Sequence, residues 1–154
     1  GTVHAGNSSG VTDGASAMVV VSEEAITRHR IEPMGRLVAW TQAGVDPEVM
    51  GLGPVPAVRR ILEKTGLRLD EIDLIELNEA FAAQVLADIK PLGIPESKLN
   101  ICGGGVALGH PIGASGARVL VTLVHQLKRT GGKRGLITMC IGGGQGIALA
   151  IERL

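Results

Sequence analysis

The 154-residue sequence predicts an α/β layered domain with a mixed, five-stranded sheet between helices. Two observations point to it. Short β-branched and aliphatic runs alternate with helical spacings, and the chain finishes on two apolar runs around a glycine-rich turn, the mark of a terminal hairpin. The composition permits such a domain, since 45% of the residues are hydrophobic and 15 Lys+Arg balance 15 Asp+Glu. A chain of this length buries roughly two-thirds of its unfolded surface, so neither disulfides nor a metal are needed to close a core.

The elements follow in order. Val19, Val20 and Val21 read as a strand, and Ser22 with Glu23 and Glu24 as the cap and acidic first turn of a helix to Arg30. Beyond the Pro33-Met34-Gly35 break, residues 36–43 alternate loosely and open the five-stranded sheet. Pro54 and Pro56 suit the first turn of a helix that closes at Gly66, because the N–H that proline lacks would be orphaned there. Residues 74–77 form the second strand and deliver Asn78 at its carboxyl end, read as the cap of a helix with Glu79 in its first turn and Lys90 at its end. Residues 99–102 read as a third strand, followed by the glycine-dense loops Gly103-Gly104-Gly105 and Gly109-His110-Pro111-Ile112-Gly113. A helix over 114–129 carries Val119, Leu120, Leu123, Val124 and Leu127 on one face. Residues 135–141 and 147–151 are the hairpin strands, joined through Gly142 to Gly146. Residues 1–28 read as a unit separate from 29–154, because their strand and helix precede the Ile31-Glu32-Pro33 punctuation. Gly1 stands where Met is expected, without a signal peptide, so the chain is expected to be cut from something longer.

Several function classes are excluded. Charges cancel without a run of five of one sign, and Trp40 and Phe81 are the only aromatic side chains, so neither the basic face nor the stacking platform of a nucleic-acid binder is present. The longest apolar stretches fall far short of the ~20 residues that span a bilayer. Cys102 and Cys140 make no CxxC pair, which suits a reducing, cytoplasmic setting. Glycine is frequent, at 23 residues, but neither a dinucleotide fingerprint nor a P-loop occurs.

Four residues at predicted strand ends and loops carry possible chemistry: Asn78, His110, Cys140 and Gly142. By residue type alone each also has a plain reading. Asn78 serves as a helix cap, His110 as a hydrogen-bonded loop histidine, and Cys140 as an inert buried thiol. Cys140 and His110 are 30 residues apart with no second ligand at a metal spacing, so no metal site is expected. A Cys-His pair is chemically competent, since imidazole lowers a thiol pKa, but spacing does not bring the two together.

The segments Ala5-Gly6-Asn7-Ser8-Ser9-Gly10, Asn78-Glu79-Ala80-Phe81-Ala82, Gly109-His110-Pro111-Ile112-Gly113-Ala114-Ser115-Gly116-Ala117-Arg118 and Cys140-Ile141-Gly142-Gly143-Gly144-Gln145-Gly146 occur in that order along the chain. Together they resemble the successive signatures of thiolases, the acetyl-CoA C-acyltransferase family, and cover only the carboxyl-terminal portion of such an enzyme. The resemblance implies that the nucleophilic cysteine belongs to an amino-terminal half, and that the assembled enzyme is a homodimer or homotetramer. It implies acyl-CoA and coenzyme A as substrates, with no tightly bound cofactor. By the same resemblance, Asn78 holds a water that forms an oxyanion hole with His110, Cys140 exchanges the α-proton or the CoA thiol proton, and the Gly142 amide contributes to a second oxyanion hole. Ala5, Ser9 and Ala80 would touch the pantetheine arm, and Met50 and Phe81 would line the acyl end. Cys102 stands where many members have Asn, and His4 where Thr is usual. Two other functions fit less of the pattern: a decarboxylating condensing enzyme related to ketoacyl synthases, which typically uses His or Asn at the station of Cys140, and a non-catalytic module binding acyl-CoA or a partner.

Overall fold

A computed structural model describes residues 1–154. Its helices are α1 (Glu23–His29), α2 (Pro54–Thr65), α3 (Ala82–Leu92), the single-turn α4 (Gly105–Leu108) and α5 (Ser115–Thr130). The strands are β1 (Gly35–Gly44), β2 (Leu74–Leu77), β3 (Arg134–Ile141) and β4 (Gln145–Arg153), in the order β1-β4-β3-β2. β3 and β4 form the expected hairpin, β1 runs antiparallel to β4, and β2 runs parallel to β3.

The mixed sheet separates two apolar clusters, which makes the domain three layers. On one face α2 and α3 bury Ala57, Val58, Ile61, Val85 and Ile89 against Ile75, Leu77, Leu136, Ala148 and Ala150. On the other, Val119, Leu123 and Leu127 of α5 pack on Leu74, Ile137 and Ile151. All four residues of β2 are buried, and its alternation sends Ile75 and Leu77 to the first cluster and Leu74 to the second. Glu76 lies two residues from Leu74 and therefore on the α5 side. The turn at Pro47–Leu52 is held against the hairpin by a close backbone approach: a Cβ at Gly146 would sit 2.0 Å from the Gly53 carbonyl oxygen. At the free edge of the sheet, Arg60 Nη1 and Lys64 Nζ, one turn apart on α2, donate to the β1 carbonyls of Gln42 (2.8 Å) and Trp40 (3.2 Å).

The structure corrects three expectations. The sheet has four strands and not five, because residues 99–102 pair with β2 only through the Leu99–Ile75 bridge. Asn100 takes a left-handed φ of +44°, and its side-chain amide engages both backbone groups of Leu77 in place of a further strand residue. Val19 to Val21 form no strand; Val19 is 88% exposed, and no strand of this chain lies beside the segment to take its backbone groups. Asn78 is not a helix cap. α3 begins four residues later with Phe81 as its cap, since Phe81 is held extended by a bridge to Ser8. Ser22 does cap α1, accepting from the Ala25 N–H at 3.2 Å.

Candidate active site

The site forms where β2 and β3 end. The Asn78 N–H donates to the Thr138 carbonyl at 3.0 Å, which continues the parallel pairing by one residue and carries the Asn78 side chain, 1% exposed, past the sheet. Beyond it the chain is fixed by Glu79, whose carboxylate accepts from Asn100 Nδ2 at 2.8 Å and from the Val106 N–H, in the first turn of α4, at 3.1 Å. A Cβ at Gly104 would lie 2.3 Å from that carboxyl group, so a larger residue there would push the carboxylate off its two donors.

His110 follows α4 and is anchored from both sides. Its N–H donates to the Gly10 carbonyl at 2.8 Å, and Nδ1 meets Ser115 Oγ at 2.6 Å. Its Nε2 lies 3.5 Å from Asn78 Nδ2, and Asn78 Oδ1 accepts from Arg118 Nη2 at 3.4 Å. Burial, with the positive charge of Arg118, holds the imidazole below its ordinary pKa and so favours the neutral ring.

Cys140 is the next-to-last residue of β3, half-buried, and makes no hydrogen bond to His110 or Asn78. Burial pushes its thiol pKa up, and the Asp88 carboxylate adds to the shift. Gly142 opens the exposed turn to β4, with open space where a side chain would project. Ser9 joins the site through its N–H (3.0 Å) and Oγ (2.9 Å), both donating to the Ala80 carbonyl. Phe81 adjoins them through its bridge to Ser8 and is 37% exposed. Ala5 stands apart in a single exposed turn, Ala5–Asn7. Met50 is half-buried in the Pro47–Leu52 turn, whose Gly51 lies against Gln84 of α3.

The structure thus brings Asn78 and His110 within hydrogen-bond reach and sets Ser9, Ala80 and Phe81 side by side. No group of three or more His, Cys, Asp or Glu side chains converges as a metal site would require. Three residues with structural claims on the site were given no role by the sequence reading: Asn100, Ser115 and Arg118. The last two lie three apart in a helix that begins just after His110, and that spacing was the available signal.

A neutral imidazole held beside a fixed amide can accept a proton and, once protonated, donate to a nearby oxyanion. The family model for the thiolase C-terminal domain matches residues 31–153. An acetyl-CoA acetyltransferase of Shinella zoogloeoides is 54% identical over 154 residues, 100% of this chain and 39% of that protein. The crystal structure of the Bacillus anthracis acetyl-CoA acetyltransferase superposes with a TM-score of 0.98 at 50% identity, covering 99% of this chain and 39% of that one. Human mitochondrial 3-ketoacyl-CoA thiolase in complex with CoA gives a TM-score of 0.92 at 46% identity, with the same coverage. The chain therefore spans about two-fifths of the length of these relatives. By sequence and by fold, the chain belongs to the thiolase family and contains that family's C-terminal domain.

Proposed function

We propose that this chain is the carboxyl-terminal part of a thiolase that condenses acetyl-CoA or thiolyses a 3-oxoacyl-CoA once an amino-terminal half supplies the acyl-accepting cysteine. The observation that carries this reading is the pairing of His110 Nε2 with the Asn78 amide, 3.5 Å apart at the end of β2, beside the strand that bears Cys140. A Claisen step places negative charge on a thioester oxygen, and a fixed donor at that oxygen contributes about 3 kcal/mol to the barrier. A neutral His110 is a base before it takes a proton and a donor afterwards, so one ring serves both needs. Raising the Cys140 pKa makes its thiolate a stronger base toward an α-proton and keeps the resting thiol protonated, ready to return one. The Gly142 amide, in an open turn, is free to meet a second oxyanion together with a donor from the other half. Ser9, Ala80 and Ala5 are assigned to the pantetheine arm, and Phe81 and Met50 to the acyl end. No resident cofactor is needed. A cytoplasmic setting suits two unpaired cysteines, and a homo-oligomer is the form proposed for the completed enzyme.

The test is thiolysis of acetoacetyl-CoA by the chain joined to the amino-terminal segment of a thiolase relative. Cys140→Ala is expected to abolish turnover while acyl transfer onto the other half's cysteine continues. Full turnover in that variant would reject the assignment. Heat of CoA binding to the chain alone, unaffected by Cys140→Ala but lost in Ser9→Ala, would favour a binding module instead.

A further inference from the structure

We infer that the first turn of α5 is a positioning device: Ser115 and Arg118, three residues apart on one face, fix the direction of the protons running through His110 and Asn78. The inference deepens the function proposed above, on which its catalytic meaning rests, but its geometry stands without it.

Two groups beside this pair have no choice of role. An arginine can only donate, and Arg118 Nη2 lies 3.4 Å from Asn78 Oδ1. The Asn78 amide therefore turns its NH2 toward His110 Nε2, at 3.5 Å, and Nε2 must present a lone pair. At the other end a carbonyl can only accept, and Pro111 takes the Ser115 hydroxyl proton at 3.0 Å. With that proton given to Pro111, Ser115 Oγ keeps lone pairs for His110 Nδ1, at 2.6 Å, as a proton on Nδ1 requires. A neutral imidazole has one N–H. The Arg118–Asn78 end places it on Nδ1, and the Ser115–Pro111 hydrogen bond agrees with it.

Burial makes the arrangement strict. Ser115 is 0% and Asn78 1% exposed, so water does not compete for either. Arg118 Nε and Nη1 are buried without hydrogen-bond partners, while its charge opposes the effect of burial on the Glu76 carboxyl, on the facing side of β2. Two idle donors beside a buried site are costly, and the one hydrogen bond the Arg118 side chain makes is to Asn78. The result is an imidazole whose basic nitrogen faces the site and whose protonated nitrogen is tied to the scaffold. Ser115 and Arg118 are positioning residues, acting through His110 and Asn78.

Nitrogen-15 NMR of the four histidine rings in the full chain tests this at about pH 8, where an imidazole is neutral, with His110→Gln assigning the resonance. The Nδ1–H form should predominate at His110. Ser115→Ala should move the tautomer ratio toward Nε2–H by about tenfold, the worth of one such hydrogen bond, and Ser115→Thr, which keeps a hydroxyl, should restore it. Arg118→Met should move the ratio the same way, because Asn78 is then free to turn its oxygen to Nε2. Backbone amide shift dispersion reports that each variant is folded. If Ser115→Ala does not fold, Arg118→Met and Ser115→Thr decide the question. An Nε2–H ring in the unaltered protein, or a ratio unmoved by these changes, would overturn the inference. The expected tautomers without thiolysis in the completed enzyme would reject the proposed function and leave the positioning intact. In an active completed enzyme, Ser115→Ala should lower kcat and leave KM in place.

Discussion

Removing the Asn100 amide would open the support beneath Asn78, and its cost follows from three hydrogen bonds. Asn100 Oδ1 accepts from the Leu77 N–H at 2.9 Å, while Nδ2 donates to the Leu77 carbonyl at 2.9 Å and to Glu79 Oε1 at 2.8 Å. Leu77 is 1% exposed, so neither of its backbone groups can turn to water when the amide is lost. Each such orphan costs about 1–3 kcal/mol, which puts the pair near 3 kcal/mol. Alanine adds a second penalty, because φ at this position is +44° and a left-handed L residue costs about 1–2 kcal/mol. Asn100→Ala should therefore lose about 4 kcal/mol, a large share of a typical 5–15 kcal/mol. Asn100→Gly escapes the left-handed strain but loosens the unfolded chain by about 0.4–1 kcal/mol, which leaves it milder than alanine by roughly 0.5–1 kcal/mol. Asn100→Asp keeps the acceptor for Leu77 and sets a carboxylate against Glu79, so it should gain more stability on acidification than the unaltered chain or the other two variants. Urea unfolding of the chain and its three variants reads all of this. A loss under about 1 kcal/mol in Asn100→Ala, or identical losses in all three, would refute the reasoning.

Three further outcomes are expected. Gly146→Ala drives a Cβ to 2.0 Å from the Gly53 oxygen, backbone against backbone, and should destabilise by at least ~1–3 kcal/mol in thermal melting; an unchanged Tm would show that the turn yields freely. Burial raises the Asp88 pKa to about 7 despite the Gln84 hydrogen bond, so the folded chain binds this proton more tightly than the unfolded chain, and stability falls as pH rises between about 4 and 7. Asp88→Asn should remove that fall and stabilise the chain at neutral pH by on the order of 3 kcal/mol, whereas an unaltered slope would assign the proton elsewhere; Glu76, also raised to about 7 by burial, contributes a second fall in the same direction. Alkylation followed by mass should reach exposed Cys102 before Cys140, and Asp88→Asn should quicken Cys140 by removing the charge that opposes its thiolate; equal rates at both cysteines would contradict the burial and charge described here.

Much of the frame was legible because its signals are local. Ser22 caps α1, the prolines at 54 and 56 open α2, and the apolar spacing of Val119, Leu123 and Leu127 gives the buried face of α5. What escaped depends on distant partners. The strand expected at residues 99–102 fails because Asn100 spends its side chain on Leu77, 23 positions away, and nothing in its neighbours announces that. Asn78 looks like a cap because it follows a strand and precedes Glu79, yet its side chain is drawn sideways toward His110 and Arg118, 32 and 40 positions on. The valines at 19–21 have the β propensity of a strand and no neighbour to pair with, since propensity describes a side chain's fit to a sheet and does not supply the sheet.

The cations that α2 lays along β1 have a consequence for how this sheet meets other chains. An edge strand with free carbonyls is a template on which any extended segment, including one from another copy, can add itself. Here the Trp40 and Gln42 oxygens are already occupied by Lys64 and Arg60, and the lysine also lies 5.9 Å from the Trp40 ring centroid. A newcomer pairing along the middle of this strand would have to displace two charged side chains to reach these carbonyls, so sheet growth across this stretch starts uphill. The helix that builds half the core also guards the sheet against becoming a seed.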